Sequence, residues 1–230
     1  MHRFRLAPLA LLSILALSAC SEEPPAATAS SDGKPVADPG PLTVLYRCAP
    51  EQGEPFEFLA QYHQDALGLW LPDRFGLPYQ QLPQVISASG ARFENDQALV
   101  WNKGDTALLE VAGRSYGECR EDRHAGLLEA ARLRGVTLRA TGNEPGWLLE
   151  AGPGSRLGFS YDYGNHQLEL NDARPLDEGD GLVAGDGERR LEVRIEPGPC
   201  LDTMSDQSFP LRVEVRLDGE RYSGCGTRLD

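Results

Sequence analysis

From Leu42 onward the chain consists of short apolar segments interrupted every few residues by glycine, proline and small polar residues. Leu67, Leu69 and Leu71, for example, alternate with other residues at a period of two. This period is typical of a strand with one buried face, because successive side chains point to opposite sides of a sheet. Eight such segments between residues 42 and 120, one of them predicted at Val85–Ser89, indicate a meandering antiparallel barrel or sandwich.

The hydrophobic period changes at residues 123–134. Leu127, Leu128 and Ala131 share one face of a helix there, and Gly135 follows as a stop signal. Short strands then resume and continue to the end of the chain. We therefore predict an all-β protein with one short helix, in which a small antiparallel β-barrel (residues 41–122) precedes a second small antiparallel β domain (residues 123–230).

The second domain contains a polar segment, Asp177–Glu188, that is rich in aspartate and glycine. Such a composition can bind calcium, but the ligand spacing of an EF-hand is missing. The segment is therefore predicted to be a solvated hairpin loop.

Residues 1–19 have the organisation of an export signal. A basic start is followed by an apolar run from Leu6 to Leu17 and by small residues before Cys20. The run is well short of the ~20 apolar residues needed to span a bilayer. Because residues 17–20 resemble the bacterial lipobox, we expect a lipoprotein signal peptide that is cleaved before a lipidated Cys20. An ordinary signal peptide followed by an incidental cysteine is the alternative.

The segment after Cys20, up to residue 40, is rich in proline, serine, alanine and charge, with Val36 as its only large aliphatic residue. It has too little apolar surface to fold, and we expect a flexible tether of ~25 Å reach. By analogy with lipoprotein sorting in Gram-negative bacteria, Ser21 favours an outer-membrane anchor, with the protein facing the periplasm.

Four cysteines remain once Cys20 is set aside, an even number in an oxidising compartment. Three connectivities are open. The placement of the four cysteines favours Cys48–Cys119 and Cys200–Cys225, because each pair encloses its own segment of predicted strands. Metal binding is not expected, since no Cys-x-x-Cys occurs and the four histidines are isolated in sequence. No cofactor is expected either.

The charge balance is strongly acidic, with a formal net charge of −13 that becomes −15 once Arg3 and Arg5 are removed. No basic stripe exists, which argues against a nucleic-acid partner. An acidic surface favours solubility, and it would also speed the capture of a cationic partner.

Two glycine-bearing turns, Ser89-Gly90 and Lys103-Gly104, lie fourteen residues apart. If strands run between them, a hydroxyl and an ammonium would occupy neighbouring loops. Lys103 is one of only two lysines among 22 basic residues, and a compact ammonium can enter a narrow cleft. The competing interpretation is an ordinary hairpin lysine in water.

These turns belong to a longer pattern that resembles the membrane-bound inhibitor of c-type lysozyme family over residues 42–120. The matching residues are Tyr46, Cys48, Ser87, Ala88, Ser89, Gly90, Ala91, Arg92, Phe93, Trp101, Lys103, Gly104, Ala107, Leu109 and Cys119. The resemblance implies a small antiparallel β-barrel with one disulfide. It also implies that Ser89 and Lys103 enter the lysozyme cleft and engage its two catalytic carboxylates, with Gly90, Phe93, Trp101 and Gly104 in support.

The chain departs from the family pattern at Phe93, where the family has tyrosine. The lost hydroxyl would weaken a supporting hydrogen bond, although packing would be kept. Residues 133–227 resemble an uncharacterised family of bacterial envelope domains. Glu144, Asp202 and Ser205 are conceivable site residues there. The simpler interpretation is that they belong to a structural turn and to the segment beside the disulfide cysteine.

Three functions are therefore compared. The favoured one is a non-enzymatic, membrane-anchored inhibitor of c-type lysozyme that protects peptidoglycan. The main alternative is a non-inhibitory module that binds a cell-wall or envelope ligand. An enzyme is disfavoured because no catalytic triad order, zinc pattern or phosphate loop is present and Ser89 has no nearby base.

Overall fold

The computed structural model describes residues 41–77 and 79–229. The expected signal peptide, the lipidated Cys20 and the tether up to residue 40 therefore lie outside the described residues. Across these two ranges, no helix combines the length and apolar character required to cross a membrane.

The first half of the described chain is a closed antiparallel barrel of eight strands, each hydrogen-bonded to the next, with the last strand pairing with the first. The strands are β1 (Leu42–Cys48), β2 (Phe56–Tyr62), β3 (Ala66–Trp70), β4 (Gln80–Val85), β5 (Ala91–Glu94), β6 (Ala98–Lys103), β7 (Thr106–Val111) and β8 (Arg114–Asp122). A single 3₁₀ turn, Asp73–Phe75, lies between β3 and β4. The predicted small β-barrel is confirmed.

Alternating side chains fill the barrel interior. In β7, every second residue is buried (Ala107, Leu109 and Val111), as the period-two pattern requires. Larger rings fill the centre, where Tyr46 stacks on Phe58 with ring centroids 4.9 Å apart. Apolar surface removed from water in this way is the main favourable contribution to the stability of such a small barrel.

A disulfide closes the barrel covalently at the point where its first and last strands meet. Cys48 of β1 lies opposite Cys119 of β8, and their sulfur atoms are bonded. A second disulfide joins Cys200 and Cys225. These are the two pairs that the cysteine placement favoured.

The one α-helix among the described residues, α1 (Arg123–Leu133), follows β8 directly. Asp122 caps it, because its carboxylate accepts a hydrogen bond from the Ala125 amide at 2.9 Å. The helix lies against β1 at Gly126, where a Cβ would be 3.2 Å from backbone atoms of that strand. The predicted apolar face needs correction: Gly126 and Ala131 are buried, whereas Leu127 is exposed, because close approach to a strand favours small residues.

The second half forms a nine-stranded antiparallel sheet in the order β12-β11-β10-β9-β17-β16-β15-β14-β13. Its strands are β9 (Leu138–Asn143), β10 (Gly146–Gly152), β11 (Arg156–Tyr161), β12 (His166–Leu170), β13 (Arg174–Pro175), β14 (Gly181–Gly185), β15 (Arg190–Asp202), β16 (Gln207–Leu217) and β17 (Glu220–Arg228). Inward-facing aliphatic and aromatic side chains, including Trp147, Leu149 and Phe159, form its core. This sheet, with the barrel and α1, confirms the predicted all-β class.

Two local predictions were wrong. The strand expected at Val85–Ser89 is instead β4, which ends at Val85, and its pairing with β3 extends over a polar stretch that includes Pro83. The expected loop Asp177–Glu188 contains β14, whose Leu182 and Val183 pair with β15. In both places the strand depends on hydrogen bonding to the neighbouring strand, which local composition does not reveal.

Candidate functional site

The two turns singled out in the sequence lie at the same end of the barrel. Strand β5 begins just after Ser89-Gly90 and β6 ends at Lys103, and the register pairs Ala91 with Asn102. The serine loop (residues 86–90) and the lysine turn (residues 103–105) are therefore adjacent. Ser89 and Lys103 are both exposed, so this end of the barrel presents a hydroxyl and an ammonium to solvent.

Glycine allows this close approach. Gly90 has a φ of 66°, and a Cβ there would lie 2.1 Å from the Asn102 carbonyl oxygen. Gly104 also has a positive φ, 67°, as the tight lysine turn requires. Any other residue at position 90 would separate the serine loop from β6.

Hydrogen bonds fix the serine loop. The Trp101 indole N–H donates to the Ser89 carbonyl oxygen at 2.8 Å. The Ser87 hydroxyl donates to the Gly90 carbonyl oxygen at 2.9 Å. Both bonds involve the loop backbone, which leaves the Ser89 hydroxyl available to a partner.

A polar network inside the barrel supports the lysine turn. The Asn102 side-chain amide donates to the carbonyl oxygens of Gly104 and Thr106, at 3.1 and 3.4 Å. It also donates at 2.8 Å to the hydroxyl of Tyr46, which is 2.8 Å from that of Tyr62. Burial raises the pKa of both tyrosines, so the two hydroxyls stay protonated at neutral pH. The turn is thus anchored to the barrel core.

The environment of Lys103 leaves its charge unneutralised. Its ammonium lies over the Trp101 ring, with Nζ 3.6 Å from the centroid. The nearby Asp105 carboxylate pairs with Arg120 instead, at 2.9 Å. Over residues 41–77 and 79–229, no carboxylate is paired with Lys103 at ion-pair distance.

Phe93, where the chain departs from the motif it resembles, is buried in the barrel. Its ring meets that of Tyr62 edge to face, with centroids 5.6 Å apart. Tyr62 carries a hydroxyl into the network beneath the lysine turn. Phe93 thus packs directly against a ring whose hydroxyl belongs to this network.

Three residues of this site were missed by sequence reasoning: Tyr62, Asn102 and Arg120. Tyr62 continues the inward alternation of Phe56, Phe58 and Ala60, and that period was the available signal. Asn102 bonds Tyr46, 56 positions away, and Arg120 bonds Asp105, 15 positions away, and local patterns do not reveal such contacts.

Of the residues considered in the second sheet, Asp202 has structural contacts. The Asp202 carboxylate accepts hydrogen bonds from the Asn143 side chain at 2.6 Å and from the Met204 amide at 2.9 Å. These bonds tie the end of β9 to the turn between β15 and β16. In the part of the chain that the structure describes, no three His, Cys, Asp or Glu side chains cluster as a metal site.

Comparison with known proteins gives one family. No curated protein and no solved structure matches the chain. Residues 46–116, which run from β1 into β8, match the MliC family, described as membrane-bound lysozyme-inhibitor of c-type lysozyme. The matched range contains both turns and ends before α1. Over residues 46–116, the barrel of this chain is therefore similar to the MliC family.

Proposed function

We propose that this protein inhibits c-type lysozyme by placing Ser89 and Lys103 in the active-site cleft while it is anchored to the membrane through Cys20. The MliC match implies inhibition of c-type lysozyme and a place in the cell envelope. MliC is a family of inhibitors, which is consistent with a non-enzymatic chain. The insertion mechanism and the lipid anchor are the steps that we add.

One observation carries the insertion mechanism: Ser89 and Lys103 are exposed side by side on two tightly held turns at one end of a closed barrel. A cleft can accept both turns only if they project together. The indole bond to Ser89 and the Asn102 network beneath Lys103 hold them in this arrangement before any partner arrives. Such preorganisation favours affinity because less conformational entropy is lost on binding.

The chemistry of the target fits these two groups. A glycosidase of this kind uses a pair of carboxyl groups, one protonated and one ionised. The Lys103 ammonium would pair with the ionised carboxylate, and the Ser89 hydroxyl would hydrogen-bond the other group. Because Lys103 is not paired with a carboxylate of its own barrel, no intramolecular ion pair has to break first.

The acidic charge of the chain and its lipid anchor would act before the inhibitor touches lysozyme. The chain is strongly acidic, and an acidic surface speeds association with a cationic protein. A lipid on Cys20 would hold the inhibitor in the outer membrane, facing the periplasm and next to the peptidoglycan that lysozyme cleaves. Confinement raises the effective local concentration without any new contact.

The test is a titration of the full chain, purified in detergent, against a c-type lysozyme that hydrolyses a soluble chromogenic chito-oligosaccharide. We expect inhibition that is competitive with the oligosaccharide, because both would occupy the same cleft. The matched control carries Ser89→Ala and Lys103→Ala together. Undiminished hydrolysis at a large molar excess of wild-type protein would exclude the proposed function and leave the non-inhibitory binding module as the explanation.

A further inference from the structure

Trp101 contacts both turns of the proposed inhibitory site with different parts of one side chain. Its indole N–H donates to the Ser89 carbonyl oxygen at 2.8 Å. Its ring face lies 3.6 Å, measured from the centroid, below the Lys103 ammonium. We propose that Trp101 is a positioning residue that sets the spacing of Ser89 and Lys103, so that both reach their targets together. This inference rests on the proposed function.

The place of Trp101 in the sheet suits this role. It lies in the middle of the β5–β6–β7 ribbon, paired with Arg92 on one side and Leu108 on the other. A residue held between two strands is a firmer base than either turn. The serine loop and the lysine turn therefore both contact the same rigid residue of the barrel wall.

An aromatic ring holds an ammonium in a way that a carboxylate cannot. A carboxylate would neutralise Lys103 and compete with the carboxylates of the target, whereas a ring face attracts the cation and leaves its full charge. Asp105, two residues away, is the nearest candidate for such competition in sequence, and its pairing with Arg120 draws it away. Trp101 thus restricts Lys103 while keeping it available.

The experiment compares Trp101→Phe, which keeps a ring but removes the N–H donor, with Trp101→Leu, which removes both contacts. Trp70→Phe is the matched control, because Trp70 contacts the Tyr79 ring at the end of β3, away from both turns. We expect the inhibition constant to rise about fivefold for Trp101→Phe and about 30-fold for Trp101→Leu. Trp70→Phe should leave it unchanged.

A second measurement is independent of lysozyme. In the NMR spectrum of the free protein, the methylene protons of Lys103 should be shifted upfield by the indole ring current. That shift should disappear in Trp101→Leu, and the Gly90 amide should exchange faster with solvent in both Trp101 variants. Absence of the upfield shift in the wild-type protein would overturn the inference even if inhibition is strong.

A third comparison separates positioning from direct contact. In a chain that already carries Ser89→Ala and Lys103→Ala, the further change Trp101→Leu should have little effect on inhibition. A full additional loss there would mean that Trp101 acts by itself or stabilises the whole barrel, and the positioning role would be rejected. If the wild-type chain fails to inhibit, the NMR shift and exchange rates still decide whether Trp101 orders the two turns.

Discussion

Replacing Lys103 with alanine separates binding from folding, because the lysine contributes little to the free protein. What the barrel loses is the contact between the ammonium and the Trp101 ring, 3.6 Å from its centroid. At an exposed site such a contact contributes about 0.5–1 kcal/mol to stability. The free energy of unfolding should therefore fall by no more than ~1 kcal/mol.

The loss in the complex should be much larger. Within a desolvated cleft, truncating one partner of a hydrogen-bonded charge pair costs about 2–5 kcal/mol, since the other charge is left buried and unpaired. The lower figure corresponds to an inhibition constant that rises at least ~30-fold. Lys103→Ala is thus expected to weaken inhibition strongly while leaving the protein folded.

The assay measures the inhibition constant from oligosaccharide hydrolysis and the free energy of unfolding from urea titration, for the same preparations. Lys34→Ala is the matched control, because Lys34 is the only other lysine in the sequence and precedes the first barrel strand along the chain. An unchanged inhibition constant for Lys103→Ala would refute the insertion mechanism. So would an equal loss of inhibition in the two lysine variants, since the effect would then follow net charge alone.

Four further outcomes are expected. Asn102→Ala should lower the free energy of unfolding by about 1–3 kcal/mol, because it removes donors to the lysine turn and to a buried tyrosine hydroxyl; thermal unfolding should show a Tm lower by about 3–10 °C. Cys48→Ala with Cys119→Ala should cost about 4 kcal/mol in the chain-entropy description, measured by urea titration; a loss below ~1 kcal/mol would contradict it. Arg120→Gln should release Asp105 to pair with Lys103, and enzyme assays should show inhibition weakened by up to about fivefold; stronger inhibition would argue against that competition. Burial raises the pKa of Tyr62 in the folded state, so the unfolded chain loses that proton first as pH rises. The free energy of unfolding should therefore fall above about pH 10, and urea titrations at several pH values should show a shallower fall for Tyr62→Phe.

Sequence patterns predict the barrel and the two turns because both depend on local rules. Period-two alternation marks a half-buried strand, and glycine in Ser89-Gly90 and Lys103-Gly104 marks a turn. Adjacent antiparallel strands then place both turns at one end without further information. The side-chain contacts that support the turns could not be predicted from local rules, because Asn102 contacts Tyr46 across the barrel, 56 positions away in sequence.

The two strand predictions failed because the segments that form β4 and β14 lack the usual composition of a strand. β4 contains Pro83 and buries only Leu82, so its sequence lacks the usual strand signal and its pairing with β3 decides its structure. β14 is surrounded by aspartate and glycine, and its strand conformation comes from alignment with β15. Strand formation in such segments depends on tertiary pairing more than on intrinsic propensity.

The bond between Cys48 and Cys119 also determines how the barrel responds to proteolysis. Every loop of the barrel, including the serine loop and the lysine turn, lies between these two cysteines in sequence. Exposed loop tips are the usual sites of proteolytic nicking. A single cut anywhere between residues 49 and 118 would therefore leave both fragments covalently joined and still paired along β1 and β8. The proposed inhibitor would thus lose one peptide bond without losing half of its barrel.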